Sequence, residues 1–212
     1  MSYIFRHPDI VAARFGEHLL LTFVSLAIAL AIAFPLGVLA ARRPRAGAIT
    51  LGVLNVIYTI PSLALLGILV AIFGLGMPTA IVALVAYAQM ILVRNVAEGL
   101  RGVSPAALDA ADGLGFTPFG RLVRVEIPLA LPAIVGGIRI ATVSLIGIAT
   151  VAAWIDAGGL GALVFEGLHQ DDPDKIVAGS LAAVVLALVA DGVLRAAERW
   201  TAEPVLSKAK DA

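Results

Sequence analysis

Apolar residues run through this chain in long blocks, and the polar positions fall between the blocks rather than alternating with them. The block from Leu19 to Ala41 carries no charge. It is long enough for one helical crossing of a bilayer, which takes about 20 residues. Pro35 inside it predicts a bend rather than an end. A second block, Ala46 to Val93, is uncharged throughout. That is too long for one crossing and suits two, divided at "GLGMP" (Gly74 to Pro78), where glycine and proline favour a tight turn. Helices are predicted near 48–73 and 78–97. Beyond a polar interval, two more apolar stretches predict helices near 129–155 and 176–197. The expected fold class is all-α integral membrane, a single transmembrane domain over residues 1–212 with about five crossings.

Composition agrees with this pattern. Of 212 residues, 60% are hydrophobic and 14% charged, whereas a soluble domain is about a quarter charged. Formal net charge is zero, so nothing points to nucleic acid. Cysteine is absent, which excludes disulfides, thiolate catalysis and Cys-based metal sites. The opening "MSYIFRHPDIVAARFGEH" places charges and a proline ahead of the apolar run with no small-residue cleavage site, so the first crossing is expected to stay in the membrane.

Basic residues near span ends are retained on the cytoplasmic side. Arg42, Arg43 and Arg45 lie between the first two crossings; Arg94, Arg101, Arg121 and Arg124 flank or lie in the polar interval; Arg195, Arg199, Lys208 and Lys210 close the chain. In a five-crossing arrangement all three groups share one face. The other face has Arg6, Arg14 and Lys175, beside the acidic "HQDDPDK". The expectation is an extracytoplasmic N-terminal segment over 1–18, a cytoplasmic loop over 104–128 and a cytoplasmic tail over 200–212.

The interval "LDAADGLGFTPFGRLVRVEIP", residues 108–128, packs small residues, acids, glycines and prolines between two apolar blocks. Ser104 before Pro105 is a helix N-cap with proline at the first helical position, and Thr117 before Pro118 repeats the device. Short helices are predicted over 105–112 and 118–126, hinged at Gly113 and Gly115. Ala106, Ala107, Ala110 and Ala111 are small enough to let another surface approach the backbone. A loop that merely solubilises the turn is the alternative.

Asp109-Ala110-Ala111, then Gly115 and, further on, Val125-Glu126-Ile127-Pro128 resemble the EAA loop (Glu-Ala-Ala, Gly, Ile-x-Leu-Pro) of permease subunits of bacterial ABC importers. The spacing matches; Asp109 replaces the glutamate, Val125 the isoleucine and Ile127 the leucine. "TIPSLALLGILVAIFGLG", "LVRNVAEGLRGVSPAALDAADGLG", "GIRIATVSLIGIATVAAWIDAGGLGALVFEGL" and "ADGVLRAAERW" are similar to the osmoprotectant branch, whose permeases carry glycine betaine, choline and carnitine. The resemblance implies a type I importer permease fold, a second permease subunit (a homodimer or heterodimer) and an extracytoplasmic substrate-binding protein. It also implies separate ATPase subunits that hold ATP and Mg, because this chain has no Gly-x-x-x-x-Gly-Lys-Ser/Thr phosphate loop. Ala110, Ala111 and Gly115 are then expected to provide fit to the ATPase and Asp109 polar anchoring. Arg121 and Arg124 would meet its acids, and Ile127-Pro128 would pass its motion to the fourth crossing. A permease for methionine or another small nutrient remains an alternative. An ion-coupled carrier, which would need coupling-ion ligands, and an intramembrane enzyme, which would need a nucleophile with a base, are further ones.

Other positions carry weaker signals. Trp154, Gly158, Gly159, Leu160 and Gly161 suggest an extracytoplasmic gate, with an ordinary turn and an interfacial tryptophan as the alternative. Arg139 and Asp191 are intramembrane charges at similar depth and are expected to pair; Arg139 reaching for the cytoplasm while Asp191 pairs with Arg195 is the other reading. Tyr58, Pro61 and Ser62, on a second helix kinked by Pro61, are candidates for the solute path. The two Trp and three Tyr suggest no aromatic cluster, so solute selection is expected in the binding protein. His7, His18 and His169 lack metal-ligand spacing and are expected in solvated positions, and no metal site is expected.

Overall fold

A computed structural model describes residues 2–210, with side chains from Tyr3 to Ala202. Its elements are helices α1 (Ser2–Arg6), α2 (Pro8–Arg42), α3 (Pro44–Thr59), α4 (Ser62–Phe73), α5 (Met77–Arg101), α6 (Pro105–Gly113), α7 (Pro118–Arg121), α8 (Ile127–Ala152), α9 (Leu160–His169) and α10 (Pro173–Lys210). A π-helical turn, Leu122–Glu126, joins α7 to α8, and a 3-10 turn, Ala153–Ile155, follows α8. Among the described residues four helices are long and apolar enough to cross a membrane; counting the bent pair α3–α4 as one crossing makes five.

The central element is α5, which packs on α2, α8, α3 and α4. Its buried face runs through Ala80, Ala83, Leu84, Tyr87, Ala88, Leu92, Val93, Val96, Ala97 and Leu100. Small residues let helices approach closely where lipid supplies no hydrophobic drive between them. At Gly137 on α8 an added Cβ would lie 2.4 Å from Asn95 Cβ on α5, and at Gly37 on α2 one would lie 2.5 Å from Val96 Cγ1. By contrast α10, packed on α8 and α9, leaves Val184, Val185, Leu188, Val189 and Val193 exposed, an apolar surface compatible with lipid or with another membrane helix.

Several boundaries differ from the sequence reading. The first apolar helix starts at Pro8, so most of segment 1–18 is helical and continuous with the crossing, and Pro35 lies inside an unbroken helix. The second predicted helix is two, meeting at 95°. Pro61 has no N–H and disfavours helical backbone in the residue before it; Ile60 accordingly sits at φ −66°, ψ 127°. The helix expected over 118–126 is one α-turn followed by the π-turn, and it runs into α8 without a gap. Pro128 supplies no N–H and crowds the carbonyl four residues back, and Ile127 N–H instead reaches Leu122 O. Of the tail expected over 200–212, the part up to Lys210 extends α10; residues 211 and 212 and the side chains of Lys208 and Lys210 lie outside the described residues.

Candidate functional site

The loop between α5 and α8 is locally self-defined. Ser104 Oγ accepts from Ala107 N at 3.3 Å, and Thr117 Oγ1 accepts from Gly120 N at 3.1 Å. Each hydroxyl satisfies an N–H that the first helical turn cannot. At the other end of α6, Phe116 N donates to Ala111 O (3.2 Å) and Gly115 N to Asp112 O (3.0 Å), while Gly115 adopts φ +76°. This is a Schellman closure, whose left-handed residue is usually glycine.

The loop's outer face carries the expected small residues only in part. Ala106, Asp109 and Ala110 are exposed, but Ala111 is 3% exposed. Ala111 is therefore inside this chain, because the Schellman turn folds back over the last turn of α6. In its place stand apolar residues that the sequence reading passed over. Leu114 is 79%, Phe119 75% and Val123 45% exposed. They border a cleft of about 620 Å³ also lined by Gly115, Phe116 and Arg124.

Beneath that face lies a charge network. Glu126 is buried and accepts from Arg42 and Arg121, each at 3.0 Å; Arg121 also meets Asp112 at 2.6 Å. Arg101 donates to Ala40 O at 2.5 Å. Arg121, expected to meet acids of an ATPase, is paired within the chain with Glu126 and Asp112. Arg124 is exposed with no ion-pair partner among the described residues. Glu126, given no role from sequence, ties the loop to the end of α2. Ile127 is half-buried and Pro128 exposed, at the join between the π-turn and α8.

At the opposite end, Gly158 and Gly159 both have φ +77° and turn the chain into α9. Glu17 Oε2 accepts from Gly159 N at 2.8 Å, and Arg14 bridges Glu17 (3.1 Å) to Glu166 (3.0 Å). Lys175 completes the cluster at 3.0 Å from Glu166. His18 is fully buried rather than solvated. Its Nδ1 accepts from Leu160 N at 3.3 Å and its Nε2 lies 3.2 Å from Ile146 O, so the network assigns the proton to Nε2. A Cβ at Gly161 would fall 2.0 Å from Thr150 O, which explains that glycine by close helix approach. Leu160 is fully buried and Trp154 54% exposed. Leu160 therefore packs within this chain. Among the described residues no group of His, Asp or Glu is arranged to hold a metal ion.

Arg139 on α8 lies 2.9 Å from Asp191 and 2.9 Å from Glu198, while Asp191 also meets Arg195 at 2.8 Å. Both sequence readings of Asp191 hold together, because 191, 195 and 198 share one face of α10. Glu198 was legible from that spacing and was missed.

Tyr58 is 42% exposed, Pro61 exposed and Ser62 half-buried, all at the α3–α4 break. Tyr87, buried on α5, donates its hydroxyl to Ile60 O. Its ring lies 6.0 Å from that of Tyr58 at an interplanar angle of 72°. The pair is 29 positions apart in sequence and only the fold joins it.

The family described as "Binding-protein-dependent transport system inner membrane component" matches residues 33–203. The chain is 40% identical over 183 residues to the choline transport system permease protein OpuBB of Bacillus subtilis (strain 168), covering 86% of this chain and 84% of that one. It is 39% identical over 199 residues to the glycine betaine/carnitine/choline transport system permease protein OpuCB of the same organism, covering 94% and 92%. Its fold superposes on a permease chain of the inward-facing MetNI methionine ABC transporter with TM-score 0.84 and 24% identity, over 92% of this chain and 98% of that one. The arrangement is the type I ABC importer permease fold, and the chain belongs to the inner membrane components of binding-protein-dependent transport systems, as a multi-pass permease subunit.

Proposed function

We propose that this permease forms the translocation path of an ATP-driven importer for a quaternary-ammonium compatible solute such as glycine betaine, choline or carnitine. The observation that carries the solute class is the 39–40% identity along most of the chain to permeases named for those solutes. The likeness to the methionine transporter, at 24% identity, bears on fold alone and does not favour a methionine reading.

Coupling is assigned to residues 104–128. The capped α6–α7 pair presents Asp109, Ala110, Gly115 and Arg124, with Leu114, Phe119 and Val123 as apolar anchors, to a separate ATPase subunit that binds ATP and Mg. Movement of that subunit passes through the gapless π-turn and Ile127-Pro128 into α8, a rigid route because the helix does not break there. The Glu126 ion pairs carry the same motion to the end of α2. A second permease, a homodimeric or heterodimeric partner, completes the path, and a substrate-binding protein delivers solute to the outer face near α9. On this reading the N-terminus is outside, the C-terminus inside, and the membrane is the bacterial inner membrane. Trp154, Gly158, Gly159 and Gly161 shape the outer gate.

The test is uptake of labelled glycine betaine into proteoliposomes holding this permease, its ATPase and its binding protein. ATP-dependent uptake, with choline or carnitine competing, is the expected result. Uptake that needs ATP but is blocked only by methionine overturns the solute class; uptake indifferent to ATP overturns the coupling.

A further inference from the structure

We propose that the α3–α4 break is a transit site for the quaternary-ammonium group, with Tyr58 as the contact residue and Tyr87 as the positioning residue behind it. This rests on the compatible-solute reading above and names the residues that would meet the solute inside the permease. A quaternary ammonium has no N–H and cannot donate a conventional hydrogen bond. What attracts it is the face of an aromatic ring and the negative end of carbonyl dipoles. The break brings both together.

Tyr58 stands on the last turn of α3, 42% exposed as a residue. Tyr87 is held from the other side, its ring buried and its hydroxyl given to Ile60 O. The 72° contact between the two rings therefore fixes Tyr58 against a rigid support, which lowers the ordering cost of presenting its face to a cation. The carbonyls supply the second part. Val56 O takes the Thr59 hydroxyl at 2.7 Å and Ile60 O takes that of Tyr87. Pro61 and the extended Ile60 end the ladder, so Tyr58 O and Thr59 O receive no donor among the described residues. They form the negative end of the α3 dipole.

Place in the membrane decides between lipid and path. The break lies about 24 Å along α3 from its Pro44 end, a length that ends within, and toward the far side of, a hydrocarbon core about 30 Å thick. Unpaired backbone at such depth is tolerated where it lines water or is buried in protein, not against lipid, and broken helices with freed carbonyls are a recurring way to meet a cation in transporters. No charged residue occurs between Ala46 and Val93. No lysine or arginine of the segment repels a cation, and no carboxylate traps it, so the hold is weak enough to release. None of the described residues covers the exposed part of Tyr58, which leaves the second permease to close the site.

The experiment is the proteoliposome uptake above with position 58 varied at subsaturating solute. Tyr58→Phe is expected to keep uptake within about twofold and Tyr58→Leu to lower it roughly 3- to 30-fold. Successive fluorination of a phenylalanine at 58 keeps shape and apolarity while weakening the ring's negative face, and uptake is expected to fall with each fluorine. Tyr87→Phe keeps the ring but frees Ile60 O, and is expected both to lower uptake and to flatten that fluorine dependence. A flat series in the otherwise native permease, or unimpaired uptake by Tyr58→Leu, overturns the transit site alone. Absence of quaternary-amine uptake in the unsubstituted transporter overturns the solute reading and the transit site with it.

Discussion

Gly115 holds φ +76° with no heavy atom within 4 Å of where a Cβ would stand. Its requirement inside this chain is therefore conformational, about 1 kcal/mol against alanine, and less against asparagine, which tolerates the left-handed region. A docked ATPase would add a requirement for empty space, which asparagine and alanine violate alike. Gly115→Ala and Gly115→Asn are both expected to insert in the membrane, with Asn melting close to the native protein, and both are expected to lose roughly tenfold or more of ATP-dependent uptake. Native uptake by Gly115→Asn would reduce this position to a helix cap. The spacing Asp109-Ala110-Ala111 and Gly115 located the loop from sequence, but spacing carries no information on which side of a nine-residue helix is covered. Ala111 and Arg121 turned inward because the Schellman turn and the Glu126 carboxylate, both tertiary features, claim them.

Among the elements, α2, α8 and α9 meet at His18, whose two ring nitrogens reach Ile146 O and Leu160 N. Ile146 O has a second donor in Thr150 Oγ1 at 3.1 Å, so the group left bare by losing the imidazole is the Leu160 N–H at the start of α9. His18→Phe, which keeps a ring in the space, is expected to destabilise the outer end by about 1–3 kcal/mol. The check is thermal unfolding in detergent together with hydrogen exchange. Exchange should rise first at Leu160 and its neighbours, while amides of α5 stay protected; uniform loss across the protein would mean that His18 is a general core residue instead. This junction was not legible in the sequence, where a histidine at the mouth of an apolar block reads as interfacial. Long apolar blocks of uncharged residues do specify crossings, because the cost of charge in the membrane is large and local. The split at Pro61, the π-turn before α8 and the ten-residue α9 depend on partners that lie far along the chain, such as Tyr87 for Ile60 and Glu17 for Gly159, and periodicity is silent on those.

For the whole molecule, the sidedness of the bundle decides whether an ATPase can reach α6 and α7 at all. Arg42, Arg43, Arg45, Arg94, Arg101, Arg121 and Arg124 cluster at one end of the described helices, and Arg6, Arg14 and Lys175 lie at the other. Retention of basic residues on the cytoplasmic side is the basis of the proposed orientation, with the α6–α7 loop inside and the α9–α10 turn outside. The chain has no cysteine, so a single introduced thiol reports its side without a background to remove. Asp109 and His169 are exposed on opposite ends of the fold. In intact cells, His169→Cys is expected to react with a membrane-impermeant maleimide and Asp109→Cys to react only after permeabilisation. Sampling the two together guards against a buried or occluded thiol, because permeabilisation must change one and leave the other. The reverse pattern would put Asp109, Ala110 and Gly115 on the face that meets the binding protein, and the coupling role proposed for the α6–α7 loop would fall with it.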